Sequence, residues 1–484
     1  FHSNGGSSVP PLTVDKNESI DEPENVTSPE TELREGLYLE GWYKEPAYTH
    51  KWDFATDKVT ADMHLYARWF PKLSTTEWRR IGPNGIGITY IPHDGTPDAL
   101  AKGQFHQGMA IDPNNTDVLY QTVGAHADGS KGIMNGIIKS SDRGATWEWL
   151  YEMTVLNVEG RMPVNIRVDP NNSDRLYLVE MINVKYGFMR SDDRGKTWYQ
   201  PAGYAAFKSA NNLGNNLYHL ALDPNNSQHL LISSKDPWNG WETNGWCGIE
   251  SKDGGDTWKG IKSPDPAGID GGYGINIWFL SDPANNQSID GQRWLLATQE
   301  IGGGNAGKKG YYLTTDGGET WTHVAGPDSS VYSKNVSMCH GGGGVYYDAD
   351  GVLYVAATSD WDYPVPSGQI LRSEDNGDTW TSFNSGFKNG DCMLYVIGYN
   401  GYLYASPQNP SGGSDFYRTG IGSADWKRIP TNNNGWDNGN PPPWNEPPYD
   451  NEMIGGTFEF VVDHANKILY ASCADSGLYA LQLE

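Results

Sequence analysis

One octapeptide recurs five times and constrains what this chain can fold into. Ser140-Ser141-Asp142-Arg143-Gly144-Ala145-Thr146-Trp147 is the first copy, and variants occupy residues 191–198, 251–258, 314–321 and 373–380. Copies about 50 to 60 residues apart mark a repeat architecture, in which no unit buries its apolar face alone. The chemistry of the octapeptide identifies the unit. Ser or Thr and Asp bond back onto nearby backbone and hold a tight turn. Gly supplies a positive φ. Thr-Trp then opens a β-branched and aromatic strand. The repeat is therefore a strand-to-strand turn that does no chemistry itself.

The segments between copies supply the other strands. A first strand ends in Asp-Pro-Asn-Asn at 112–115, 169–172 and 223–226, with Asp282-Pro283 and Asp348-Ala349-Asp350 as variants. A second strand follows at Leu119-Tyr120, Leu176-Tyr177, Leu230-Leu231, Leu295-Leu296, Leu353-Tyr354, Leu403-Tyr404 and Leu469-Tyr470, which makes seven units. The third strand runs into the octapeptide and the fourth begins at its Trp. The sixth unit has a worn octapeptide between Tyr417 and Trp426. The seventh ends at Leu483 with three strands and no octapeptide. Residues 76–82 read as the missing Thr-Trp strand, and pairing first with last would close a ring and remove a free edge. The spacing thus predicts an all-β, seven-bladed β-propeller over residues 75–484, closed by strand 76–82. With 59 Gly, 28 Tyr, 19 Trp and only 20% charged residues, the composition agrees with a turn-rich β fold.

Net charge is −25, which would repel a polyanion, so nucleic acid is not an expected partner. No apolar run approaches the roughly 18 residues that cross a bilayer, so membrane insertion is not expected. Cys247, Cys339, Cys392 and Cys473 lie far apart without metal-ligand spacing. One or two disulfides could form, but buried free thiols are the better reading. No signal peptide is visible at Phe1-His2-Ser3, consistent with one having been cut away. The profile suits a bacterial protein that is secreted or attached to the cell surface, and the chain is expected to be monomeric.

Residues 1–70 carry a different motif set. Gly41-Trp42-Tyr43, Trp52-Asp53-Phe54 and Leu65-Tyr66-Ala67-Arg68-Trp69 resemble the internalin-type B-repeat, or Listeria–Bacteroides repeat. The resemblance implies a small β-grasp-like module, found in strings on bacterial surface and secreted proteins, serving as a spacer or adhesion unit. The acidic stretch 15–35 departs from it and is expected to be a mobile loop. The octapeptide itself resembles the Asp-box (BNR repeat) of sialidases and related propellers.

Propeller geometry separates two faces. The short Asp-Pro-Asn-Asn turns and the octapeptides share one. The other carries the long loops, where function resides on a rigid scaffold. Those loops hold Trp238, Trp241 and Trp246, Trp361 and Tyr363, and Trp436 and Trp444, with Tyr273 at the start of an innermost strand. Such rings suit the apolar faces of sugars, although they could equally pack loop on loop. Near the same mouth the innermost strands open with His106, Arg161, Tyr218 and His219, His340, Asp391 and Glu459, and Asp360 sits on a neighbouring loop. A lone His is usually structural; several converging from separate blades point to a site.

Gly160-Arg161, then residues 166–170, Leu176-Tyr177 and the following octapeptide are similar to the first propeller of endo-xyloglucanases, as are Gly341-Gly342 and residues 351–355. The resemblance implies a glycoside hydrolase that degrades a polysaccharide. In that family a cleft lies between two propellers and each supplies a catalytic Asp. The Thr-Asp-Val-Gly-Gly motif that carries the first Asp reads here Thr122-Val123-Gly124-Ala125, without it. Sialidases need three arginines on inner strands; only Arg161 and Arg167 lie there, and the Arg428-Ile429-Pro430 imitation sits on an outer strand. Three readings stay open. A hydrolase would draw two carboxyl groups from Asp360, Asp391 and Glu459. A polysaccharide lyase would use His106, Tyr218, His219 and His340 with Arg161. A non-catalytic propeller would only bind the glycan. A hydrolase requires no cofactor, and Ca²⁺ is compatible with the sequence; the metal requirement is not legible.

Overall fold

The computed structural model describes residues 1–29, 36–82, 105–124, 134–154, 162–181, 187–214, 217–234, 241–264, 272–280, 291–300, 310–325, 344–357, 369–383, 392–408, 416–430, 457–473 and 477–484. Among these residues the chain forms a seven-bladed β-propeller and a small N-terminal two-stranded unit. Six of the seven blade sheets have four antiparallel strands, five of them in sequence order from the centre outward. Blade one, for example, runs Phe105–Ile111, Leu119–Gly124, Met134–Ser140 and Glu148–Thr154. First strands of adjacent blades pack on one another around the ring. The core lies between blades, where Leu, Ile, Val and Tyr from facing sheets interdigitate.

Blade seven consists of Thr457–Asp463, Ile468–Cys473, Gly477–Gln482 and, from the opposite end of the propeller segment, Arg79–Gly82. Trp78 anchors this strand. Its indole is fully buried, stacked on Phe416 at 3.9 Å and near Phe460 at 5.9 Å. The Trp78 backbone N–H donates to the Pro430 carbonyl of blade six at 2.9 Å.

The octapeptide turns share one geometry. In the first, Asp142 Oδ1 accepts from the Thr146 N–H at 2.8 Å and Oδ2 from its hydroxyl at 2.5 Å, while Ser140 Oγ accepts from the Gly144 N–H at 2.8 Å. Asp193, Asp253, Asp316 and Asp375 repeat the pattern. Four of the five turns also lean on the strand-one-to-two turn of their own blade, as when the Arg194 N–H donates to the Asp174 carbonyl. Those turns link blade to blade in their turn. Ser173 donates to Asp112 at 2.6 Å and Gln228 to Asp169 at 2.9 Å. This face is a hydrogen-bonded girdle.

Blade two departs from the four-strand expectation. Met162–Asp169, Asn172–Met181 and Phe188–Ser191 pair, but only a single bridge joins Arg190 to Tyr199. Pro201 follows two residues later. It has no N–H for a ladder and instead begins helix Ala202–Ala210. The helix reaches blade three so closely that a Cβ on Gly203 would lie 1.7 Å from the Asp256 carbonyl oxygen.

In the N-terminal unit, Leu37–Tyr43 pairs with Tyr66–Pro71 over a core of Leu37, Trp42, Trp52, Leu65, Ala67 and Trp69. Part of the acidic stretch expected to be mobile is pinned: the Asn17 N–H donates to the Val59 carbonyl and the Val59 N–H to that of Glu18. Ala145 of blade one completes this core. Cys247 and Cys473 are buried free thiols, and burial pushes both up to about 12. No helix among the described residues is long and apolar enough to cross a membrane.

Candidate active site

Propeller geometry directs the search to the first strands of the blades, and one buried constellation bridges the first strands of three neighbouring blades. Glu459 is the third residue of Thr457–Asp463 and is 5% exposed. Its Oε1 accepts from Arg167 Nη1 of blade two at 2.7 Å, and its Oε2 from the Met109 N–H of blade one at 2.8 Å. One carboxylate therefore ties three blades. Burial raises its pKa, against the opposing pull of the Arg167 charge. Tyr395 of blade six lies in the same field; burial and then the Glu459 charge push its phenol up.

His219 is 8% exposed, on strand Leu217–Asp223 of blade three. Its Nδ1 lies 2.9 Å from the Ile277 carbonyl, so that nitrogen carries the proton. Burial, aided by the Arg167 charge, lowers its pKa to about 3. A neutral imidazole fixed in this way cannot serve as an acid and is a poor base. Tyr218 belongs to the buried inter-blade core at 3% exposure, which corrects its expected place at an open mouth.

The aromatic expectation needs the same correction at two positions. Trp241 opens the short helix Trp241–Asn244, is 1% exposed, and its indole N–H donates to the Gly214 carbonyl at 3.3 Å. Trp246 lies on strand Trp246–Ser251 and stacks on Phe207 at 5.7 Å and 9°. Neither presents a free ring to a sugar, because the helix after Pro201 supplies a better apolar partner than water. His106 and Tyr273 open their innermost strands as expected, pairing with Val123 and Gln299; their side chains lie outside the described residues. So do Arg161, Trp238, His340, Asp360, Trp361, Tyr363, Asp391, Trp436 and Trp444.

Sequence reasoning missed Arg167 as a partner of Glu459. The available signal was a charged residue within the innermost strand Val164-Asn165-Ile166-Arg167-Val168. It also missed a second buried cluster, on the girdle face of blade three. His229 Nε2 lies 2.7 Å from Glu250 Oε1 and Nδ1 3.2 Å from Asp223 Oδ2. Burial alone would lower the His229 pKa, but its hydrogen bonds to both carboxylates outweigh that and raise it. No group of three His, Cys, Asp or Glu among the described residues could hold a metal ion.

Against known proteins, the family described as Listeria-Bacteroides repeat domain matches residues 1–68. Over 69 residues the chain is 45% identical to a putative Gly-rich membrane protein of Evansella cellulosilytica, covering 14% of this chain and 7% of that one. Over 330 residues it is 27% identical to a xyloglucanase of a Paenibacillus species, covering 65% of this chain. The chain spans only 28% of that relative's length. A GH74 xyloglucanase from Xanthomonas campestris superposes with a TM-score of 0.52 at 18% identity, over 80% of this chain and 53% of that one. The chain thus shares its propeller fold with a xyloglucanase domain and carries a repeat of the Listeria–Bacteroides type ahead of it.

Proposed function

We propose that the chain is a glycoside hydrolase acting on a xyloglucan-like polysaccharide, at the channel mouth opposite the girdle face. The observation that carries this is the 330-residue likeness to a xyloglucanase, which runs through blades rather than through the N-terminal repeat alone. Asp360 and Asp391 are the catalytic carboxyl candidates. Glu459 is the weaker third, since both its oxygens already accept hydrogen bonds. His106, Arg161 and His340 would flank the sugar, and Tyr273, Trp361, Tyr363, Trp436 and Trp444 would carry its ring faces. The N-terminal repeat and its relative's name support a cell-surface setting in a bacterium.

One observation favours a second reading. Thr122-Val123-Gly124 lacks the Asp of the xyloglucanase motif, and Thr122 Oγ1 is spent on Gly108, 2.8 Å from its N–H. A propeller without that Asp could bind the glycan without cutting it. Release of new reducing ends from xyloglucan, lost in Asp360→Asn or Asp391→Asn, would support the hydrolase. Saturable binding with no new ends would replace it with the binder. New absorbance of an unsaturated uronate from an acidic glycan would replace it with a lyase.

A further inference from the structure

A cleft lies between the N-terminal unit and the girdle face of the propeller. Tyr38, Phe70 and Lys72 line one side, and Arg143, Ile468 and Gln482 of blades one and seven line the other. Its volume is about 470 Å³, within the roughly 300–1,000 Å³ of small-molecule sites. We propose that this cleft binds a carboxylate-bearing oligosaccharide of the uronate type.

Charge is the first argument. The molecule carries −25 overall, yet among the described residues the only charged side chains lining the cleft are Lys72 and Arg143. Lys72 is exposed and makes no ion pair among the described residues. Arg143 shares the single carboxylate of Asp117 with Arg68, so two guanidiniums face one acid. A cationic cleft on an acidic protein selects an anion and concentrates it locally.

The aromatic wall is the second argument. Tyr38 is 41% exposed and meets Phe70 edge-on at 6.1 Å and 65°. Phe70 carries the Arg143 guanidinium 3.9 Å above its ring. Tyr38 therefore offers a ring face with a hydroxyl at its tip, which matches the apolar face and hydroxyl edge of a sugar. A phosphate ion would use the two cations and ignore Tyr38. A neutral sugar would use Tyr38 and ignore the cations. A sugar acid uses both.

The cleft is also preformed. The Lys72 N–H donates to the Gly36 carbonyl at 3.2 Å, and the Gln482 N–H to the Ser74 carbonyl at 2.9 Å. The connecting segment is thus fixed to both units, which removes an ordering cost from binding. The site is on the face opposite the channel mouth, and it stands or falls independently of the hydrolase reading.

The test is calorimetric titration of the full chain at low salt with trigalacturonate, its fully methyl-esterified form and inorganic phosphate. Saturable binding of the acid trimer is expected, weakened at least tenfold by Lys72→Glu and by Tyr38→Ala, with the melting temperature unchanged. No saturable binding of the trimer would overturn the proposal. So would wild-type affinity in both variants, or equal affinity for the methyl ester. Phosphate binding as tightly as the trimer, with Tyr38→Ala silent, would reduce the site to a bare anion site and overturn the sugar assignment.

Discussion

Arg68→Ala should loosen the N-terminal unit from the propeller by about two orders of magnitude. Arg68 lies at the end of the Leu-Tyr-Ala-Arg-Trp motif and is 9% exposed. Its Nη2 lies 2.8 Å from Asp117 Oδ2 and donates to the Ser141 carbonyl at 3.0 Å, both in blade one. Its guanidinium also lies 4.8 Å from the Phe70 ring centroid and 5.2 Å from that of Tyr48. Losing a charge-assisted hydrogen bond costs about 1.5–3 kcal/mol. The ion pair adds less than a fully buried pair would, because Arg143 still holds Asp117 at 2.6 Å. The ring contacts lie within the N-terminal unit and persist on undocking, so they add nothing to this equilibrium. A total near 3 kcal/mol is on the order of a hundredfold in the docking equilibrium. Limited proteolysis of segment 71–75 reads this directly, since cleavage follows the open population when opening is fast. Arg68→Lys should fall between, keeping charge but losing the planar fork. Cleavage within twofold of wild type in Arg68→Ala would refute the reasoning and return the unit to an undocked spacer.

Other outcomes follow from single contacts. Asp253→Ala removes the acceptor for the Thr257 N–H and hydroxyl and should cost about 1–2 kcal/mol in denaturant melts, with turnover per folded molecule unchanged. Trp78→Ala should cost about 3–5 kcal/mol, because a fully buried indole is lost at the ring closure, and a cost under 1 kcal/mol would mean that the strand does not close the ring. His229 has a raised folded-state pKa, so its contribution is complete below the ordinary imidazole value and fades as pH rises through the folded one; His229→Gln should therefore flatten the alkaline limb of thermal stability and leave the slope unchanged only if the imidazole is uncharged in the fold. Glu459→Gln keeps an acceptor for the Met109 N–H but strips Arg167 of its counter-charge, so stability should fall by about 2–3 kcal/mol while turnover of the folded fraction stays within threefold; a hundredfold loss of turnover with the melt unchanged would make Glu459 catalytic.

The parts of the fold that were legible are those whose causes are local. Ser140, Asp142, Gly144 and Thr146 satisfy one another within a few residues, so their chemistry announces a turn wherever it occurs. The Thr76–Trp78 tail could be placed in blade seven because it repeats half of that unit without the rest. Blade two's fourth strand failed at Pro201, where a repeat-wide pattern overrode a local stop signal. Arg68 was read as part of a module motif, although its partners Asp117 and Ser141 belong to blade one. Loop membership suggested exposure for Trp241, but helix Trp241–Asn244 turns it inward. Long-range pairing and burial are tertiary facts, and a residue type alone does not encode them.

The Glu459–Arg167 pair sets a condition on where any hydrolysis can occur. An acid catalyst needs a carboxyl with a proton to give and a face open to the glycosidic oxygen. Glu459 has a raised pKa, which suits the first requirement, but its Oε1 and Oε2 are turned to Arg167 and Met109, which defeats the second. His219 fails the first, since burial holds it neutral. The channel wall at this depth is thus scaffold that joins blades one, two and seven, with His219 and Tyr395 beside it. Chemistry, if this chain performs it, has to come from carboxyls nearer the mouth, and the sequence offers Asp360 before the third strand of blade five and Asp391 before the first of blade six. If reducing ends appear on xyloglucan and survive both Asp360→Asn and Asp391→Asn, the acid and base are not on this mouth, and the likeness to xyloglucanases would describe the scaffold alone.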